Sequence, residues 1–86
     1  AATPHHHLNK WDNEFNLHSV KYAAVYYVEV GDIGADQPGN LSLHKPDILI
    51  HPNNGDLIIF PASRMHSAHY NGLKKRIILG INFYTI

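Results

Sequence analysis

The chain has 86 residues, no cysteine, and seven Lys+Arg against seven Asp+Glu. This length predicts one small domain near the lower limit at which a core sustains itself, so self-association as a homodimer is expected. The balanced charge offers no attraction for nucleic acid or an anionic membrane, and the lack of cysteine excludes disulfides and a cysteine nucleophile. No apolar run approaches the ~20 residues of a membrane span, and no signal-peptide pattern opens the chain, which favours a cytoplasmic protein.

Histidine is frequent, with eight in the chain, and it is the commonest metal ligand. Three of the eight, His5 to His7, are read equally well as the remnant of a tag or as a natural tail, and the sequence gives them no chemistry. Residues 1–15 are predicted to form an N-terminal extension, in which Leu8 to Phe15 makes a helical turn. Residues 16–86 are predicted to form the folded domain.

From residue 20 onward the sequence predicts strands separated by turns. Val20 to Val30 is rich in β-branched and aromatic residues and stops at Gly31-Asp32, as a strand would. The turn signal Pro52-Asn53-Asn54-Gly55 precedes an apolar run that is typical of a strand buried on both faces. Further strands are predicted for residues 40–44, 48–51, 56–60, 65–70 and 74–86. Short strands with turn residues between them predict an all-β sandwich or barrel.

The last two strands are predicted to form a hairpin around Asn71-Gly72. Because side chains alternate along a strand, the final strand has two different faces. One face is purely apolar and is expected to pack against a sheet; it carries Ile77, Leu79, Ile81 and Phe83. The other face suits the inside of a polar pocket, with a glycine that leaves room; it carries Arg76, Ile78, Gly80, Asn82 and Tyr84.

The segment Phe60-Pro-Ala-Ser-Arg-Met-His66 and the later Arg76 carry most of the functional prediction. A histidine after an apolar strand suits a metal site, since a metal needs a neutral imidazole. A single arginine on the next strand suits a carboxylate co-substrate, because the planar guanidinium grips a carboxylate with two hydrogen bonds.

The order of these motifs resembles the C-terminal core of the 2-oxoglutarate- and iron(II)-dependent oxygenases, in particular the small ones abundant in marine phages and bacteria. The likeness covers roughly residues 16 to 84. It rests on Val25-Tyr26-Tyr27-Val28, on the Pro52 to Pro61 hairpin pattern, and on the spacing from His66 to Arg76 and Asn82. The resemblance implies a double-stranded β-helix, the jelly-roll core shared with cupins, in a bacterium or a phage-infected host.

The resemblance also implies roles for individual residues. His66 would be the distal ligand of Fe(II), and His18 would lie in the region of the first ligand motif. Arg76 would bind the distal carboxylate of 2-oxoglutarate, with Tyr26 or Tyr27 and Asn82 beside the co-substrate. The expected activity is hydroxylation of an unidentified small-molecule or protein substrate, coupled to decarboxylation of 2-oxoglutarate to succinate.

The chain departs from the family at the carboxylate ligand. The family shows His-x-Asp or His-x-Glu before the tyrosine strand, whereas this chain has Val20 two residues after His18 and Asn16 two residues before it. Asp12 and Glu14 do not fit the spacing. Either way one ligand of the two-histidine, one-carboxylate triad is missing or unusual, so that Asn16 or a water would take its place.

Two other classes of protein compete with the oxygenase interpretation. A cupin-like metal protein would use the same fold with three or four ligands and would not need Arg76. A non-catalytic jelly-roll module for binding or structure would need no metal. For the oxygenase, His66 and Arg76 must lie on one side of the sheet, which a simple two-residue turn at Asn71-Gly72 forbids. We therefore expect a longer loop or a bulge between them.

Overall fold

The computed structural model describes residues 3–86, and within them the chain is all-β apart from one short helix. The predicted fold class is confirmed at this level. The bounds of the elements, in chain order, are α1 Lys10–Glu14, β1 Lys21–Glu29, β2 Leu41–Leu43, β3 Ile48–Ile50, β4 Leu57–Pro61, β5 His66–Ser67 and β6 Ile77–Tyr84. No helix in this described part of the chain has the length and apolar character needed to cross a membrane.

The strands form two antiparallel sheets of three strands each. Sheet I has the order β4-β1-β6 and sheet II the order β3-β2-β5. From β3 onward the chain passes from sheet II to sheet I, back to sheet II, and again to sheet I. The sheets face each other across a small core of Ala23 and Phe60 from sheet I and Leu41 and Leu43 from sheet II.

The turn before β4 follows the sequence prediction. The amide of Asp56 donates to the carbonyl oxygen of Asn53 at 3.0 Å, and the Asp56 carboxylate accepts from the Asn53 amide at 2.8 Å. Gly55 has φ of +88°, in the region that favours glycine. The asparagine and glycine in this segment therefore set the start of β4.

The predicted hairpin around Asn71-Gly72 is wrong. β5 pairs with β2 in sheet II, whereas β6 pairs with β1 in sheet I. Tyr70 instead forms a β-bridge with Pro38, and its hydroxyl accepts from the amide of Asp32 at 3.0 Å. These contacts with the loop after β1 hold residue 70 away from β6, so residues 71–76 cross between the sheets.

The prediction of a doubly buried β4 is also wrong, and so is the prediction that the apolar face of β6 packs against a sheet. Leu57 and Ile59 on β4 are more than half exposed, as is Leu79 on β6, and Ile77 and Ile81 are also exposed. Sheet II covers only the opposite face of sheet I, the one that carries Ala23 and Phe60. The apolar character of a strand does not by itself show whether a second layer covers it.

Candidate metal centre

His66 lies at the centre of the candidate site. It is 6% exposed, and it pairs with Leu43 of β2, so both side chains point from sheet II toward the core. The edge of its ring packs on the ring of Phe60, with centroids 4.7 Å apart. His66 therefore lies between the two sheets and faces the interior, as the sequence predicts.

The N-terminal segment adds to β5 and brings two more histidines to His66. The backbone of His5 pairs with that of His66 through two hydrogen bonds of 3.0 and 2.9 Å, and the amide of His7 donates to the carbonyl oxygen of Ala62 at 2.9 Å. In extended chain, residues two apart point to the same side. His5 and His7 therefore present both imidazoles to His66, while His6 is exposed.

The three imidazoles are close enough to share a metal ion. One ring nitrogen from each lies within 4.8 Å of the others, so the group could hold a metal ion. The Nε2 atoms of His7 and His66 are 3.0 Å apart. Two nitrogens that each lie ~2.1 Å from one ion are ~3.0 Å apart at about 90° and ~3.4 Å apart at a tetrahedral angle. The observed spacing is that of a hydrogen bond between the two rings, and it also matches two neighbouring positions of an octahedral ion.

The protonation of the rings also suits a metal. Nδ1 of His66 donates to the carbonyl oxygen of Arg64 at 3.0 Å, and Nδ1 of His5 donates to that of Thr3 at 2.8 Å. Each bond leaves Nε2 of a neutral ring without a proton, and such carbonyl contacts are usual behind ligating histidines. Burial lowers the pKa of His66 and of His7, and the neighbouring histidines lower both further. Both rings are therefore neutral at neutral pH, the form that binds a metal.

A buried ion pair fixes the segment that carries His7. Nζ of Lys21 donates to the carbonyl oxygen of His7 at 2.7 Å and to the carboxylate of Asp12 at 2.8 Å. The hydroxyl of Tyr84 donates to the other oxygen of that carboxylate at 2.6 Å. Asn9 and Asp12 form a capping box at the start of α1. The helix and the ends of β1 and β6 thus anchor the chain five residues after His7.

The Asp12 carboxylate makes the stability of the fold depend on acid pH. The hydrogen bond from Lys21, followed by that from Tyr84, lowers the pKa of Asp12 from 3.8 to about 2. Because the folded pKa is the lower one, this contribution is complete above pH ~4 and is lost as the pH falls toward 2. We expect urea titrations to show a loss of stability between pH 5 and pH 2.5 that is smaller in Asp12→Asn. Equal losses in the two proteins would contradict this role.

Arg76 and His66 line the same cavity, of about 110 Å³, together with Tyr27 and His5. The prediction that His66 and Arg76 face one interior is therefore confirmed. The chain between them forms no hairpin, because residues 71–76 cross from one sheet to the other. The guanidinium lies 5.6 Å from the ring centre of Tyr27, which is 1% exposed. Burial raises the pKa of the Tyr27 hydroxyl, which is thus protonated at neutral pH.

Part of the guanidinium of Arg76 donates hydrogen bonds to backbone carbonyl oxygens. Nη1 donates to the carbonyl oxygens of Val30 at 3.0 Å and Pro38 at 3.5 Å, and Nη2 donates to that of Gly39 at 2.8 Å. Three of the five N–H donors of an arginine are used in this way. Arg76 therefore ties the loop after β1 to the chain just before β6, and its other two N–H groups make no hydrogen bond within residues 3–86.

Gly39 is the residue that allows this approach. Its φ is +84°, and a Cβ there would lie 2.6 Å from Cζ of Arg76. We expect Gly39→Ala to displace the guanidinium and to lower the melting temperature by several degrees, because both the clash and the positive φ oppose alanine. Gly55→Ala is the matched control, since it has a similar φ but nothing within 4 Å of the added Cβ. Equal losses in both variants would mean that the clash with Arg76 has no effect.

The remaining predicted site residues lie elsewhere. His18 is exposed in the turn before β1 and is not part of the histidine group, so the structure does not support it as a ligand beside His66. Tyr26 faces away from the core, and Tyr27 takes the position beside Arg76.

Asn82 lies on the inward side of β6, in a second cavity of about 170 Å³ with His7 and Gly80. No atom lies within 4 Å of a Cβ added at Gly80, so this glycine leaves the predicted room.

Sequence reasoning missed His5 and His7 because a run of three histidines near the start of a chain has a ready explanation as a tag. The signal that was available is the His-x-His alternation of His5 and His7, which places two imidazoles on one side of an extended segment. The third histidine, His66, lies 59 residues after His7. Sequence spacing alone could not show that these residues meet.

Comparisons with protein families, with curated proteins and with solved structures gave no match. The proposed function therefore rests on the chemistry of the site.

Proposed function

We propose that this chain is a metal-binding β protein in which His5, His7 and His66 hold one divalent transition-metal ion. The observation that carries the proposal is the convergence of three imidazoles, two of them with Nε2 atoms 3.0 Å apart. The third ligand, His5, is only half-buried. A rotation that moves its ring by about 1–2 Å brings it into the same coordination sphere.

Three protein ligands leave positions open for a substrate or water, as in catalytic sites. An all-nitrogen set adds no negative charge to the ion, unlike the two-histidine, one-carboxylate triad. The acid nearest in sequence, Asp12, is engaged by Lys21 and Tyr84 and is not in the group. This ligand set favours the cupin-like class among the alternatives, and a bound Fe(II) would supply oxygen chemistry there.

The connectivity supports a finer description of the fold. β4, β5 and β6 alternate between the two sheets, as successive strands of a jelly roll do. We include a double-stranded β-helix in the proposal. A non-catalytic jelly-roll module remains the outcome if no metal binds.

A cobalt(II) titration of the complete chain tests the metal site. We expect a stoichiometry of one ion per chain and visible absorption bands that saturate with it. Added Zn(II) should displace the cobalt, whereas Fe(II), which precedes Co(II) in the order of affinities for nitrogen ligands, should displace it only in large excess. A protein that is folded by circular dichroism but gives no cobalt spectrum above that of free imidazole would refute the proposal.

A second, narrower function is an oxygenase that uses 2-oxoglutarate. The specific observation in its favour is that Arg76 and His66 line one cavity and that Arg76 keeps two free N–H donors on its guanidinium. In this function the keto acid would occupy the open positions of the metal, and Arg76 would bind the far carboxylate. Tyr27, with its hydroxyl protonated, would form the wall of the co-substrate pocket.

The anaerobic affinity for two keto acids distinguishes this function from metal binding alone. 2-Oxobutyrate can chelate the metal but lacks the far carboxylate. We expect the iron-loaded protein to prefer 2-oxoglutarate by roughly 100-fold, as a charge-assisted pair of hydrogen bonds would give. Arg76→Met should reduce that ratio to about one. A ratio near one in the unaltered protein would exclude the oxygenase function while leaving the metal site intact.

A further inference from the structure

Sheet I has one face turned away from the core, and we call it the outer face. The strand register arranges it as three rows of three residues. The rows are Pro61–Tyr22–Phe83, Ile59–Ala24–Ile81 and Leu57–Tyr26–Leu79. No charged residue occurs in this set, so all the Lys, Arg, Asp and Glu of the chain lie elsewhere.

Nothing in residues 3–86 covers this surface. Sheet II packs on the opposite side, and Leu57, Ile59 and Leu79 remain more than half exposed. Monomeric soluble proteins rarely expose a contiguous apolar patch of more than a few hundred Å² unless it binds something. The outer face therefore has the composition and the continuity that are typical of a binding surface.

We propose that the outer face binds the outer face of a second copy of this chain, forming a symmetric homodimer. A surface without charge offers no electrostatic complement to an acidic or basic partner, whereas it is complementary to another apolar sheet. In a two-fold dimer each copy contributes the same patch. Two sheets that face each other in this way pack about 10 Å apart and form a common core.

The relief of the outer face also suits a second copy. Ala24, at its centre, is buried between the larger Ile59 and Ile81 of the neighbouring strands. Tyr22 and Tyr26 flank it along β1. The result is a dimple bordered by isoleucine and tyrosine, which an isoleucine from the opposite copy can fill.

The area of the outer face sets the expected strength of the dimer. Three strands about 4.8 Å apart, with rows that span five residues of each strand at roughly 3.3 Å per residue, cover roughly 14 by 17 Å in projection, to which the half-exposed side chains add their relief. Such a patch buries on the order of 400–500 Å² per copy, at the low end for specific interfaces. The dimer is therefore expected to be weak and concentration-dependent, with a dissociation constant in the micromolar range.

Sedimentation equilibrium of the complete chain between roughly 5 and 500 μM tests this. We expect a monomer–dimer equilibrium that Ile81→Asp weakens at least tenfold, because it would place an unpaired carboxylate in the interface. Leu73→Asp is the matched control, since Leu73 is almost fully exposed outside sheet I, and it should leave the equilibrium unchanged. A monomer at every concentration would overturn the proposal. An Ile81→Asp protein that still dimerises would overturn it too, because the copies would then meet elsewhere, for example along the free edge of β6.

Single cysteines give a second measurement that does not depend on tolerance of a buried charge. The chain has no native cysteine. Ile59→Cys should be cross-linked between copies by a short bis-maleimide at 200 μM, whereas Leu73→Cys should not. Equal cross-linking at the two positions would contradict a dimer through the outer face. Neither experiment requires a metal, so the dimer and the metal site can fail independently.

Discussion

Replacing His66 by alanine is expected to lower the affinity of the chain for cobalt(II) at least 100-fold. The imidazole is buried between the sheets with Nε2 directed at His7, and loss of a buried ligand leaves only the two partly exposed histidines. His7→Ala should have an effect of similar size, and His5→Ala roughly a tenfold effect, because the His5 ring must move to complete the site. Isothermal titration calorimetry at pH 7.5 measures all three.

Two matched variants separate this site from the metal binding of any histidine-rich tail. His6 is exposed, and its Nδ1 accepts from the amide of Leu8 at 3.1 Å, so His6→Ala should leave the affinity unchanged. His18→Ala should also have no effect, since His18 lies outside the group. A tail that binds metal alone would give the reverse pattern, with a loss in His6→Ala and none in His66→Ala.

Lys21→Met is expected to lower both the stability of the fold and the affinity for metal. Within residues 3–86 the ammonium group is the only side-chain donor to Asp12 Oδ2, and it also donates to the His7 carbonyl oxygen, so its loss leaves a buried carboxylate poorly paired. Removing one partner of a buried ion pair is strongly destabilising, and we expect the melting temperature to fall by roughly 10 °C or more. The affinity for metal should fall about tenfold, because the segment that carries His7 loosens.

Lys10→Met provides the comparison for this variant. Lys10 is exposed at the start of α1, where its ammonium lies 4.9 Å from the ring centre of Trp11, and surface substitutions of this kind usually change stability little. If Lys21→Met and Lys10→Met unfold at the same temperature, the ion pair does not anchor the N-terminal segment.

The strands could be predicted from local sequence because each carries its own signal. The β-branched and aromatic run around Val25 became β1, and the asparagine–glycine turn at Gly55 preceded β4, as expected. The inward side of β6, with Gly80 and Asn82, and the position of Arg76 directly before this strand also followed from simple alternation.

The pairing of distant segments could not be predicted in the same way. Nothing near Asn71-Gly72 shows that Tyr70 bridges to Pro38 and holds the chain away from a hairpin. The metal group joins His5 and His7 to His66 through a backbone bridge between residues far apart in sequence. Such contacts depend on the burial of the whole core, which a local pattern does not encode.

The most direct test of the metal site is anomalous diffraction from crystals of the complete chain loaded with cobalt(II). The structure predicts one ion per chain, bound by nitrogens of His5, His7 and His66 at about 2.1 Å, with His7 and His66 at about 90° to each other. Water or buffer should fill the remaining positions. An ion held by His18, or by exposed His6 without His66, would contradict the proposed centre.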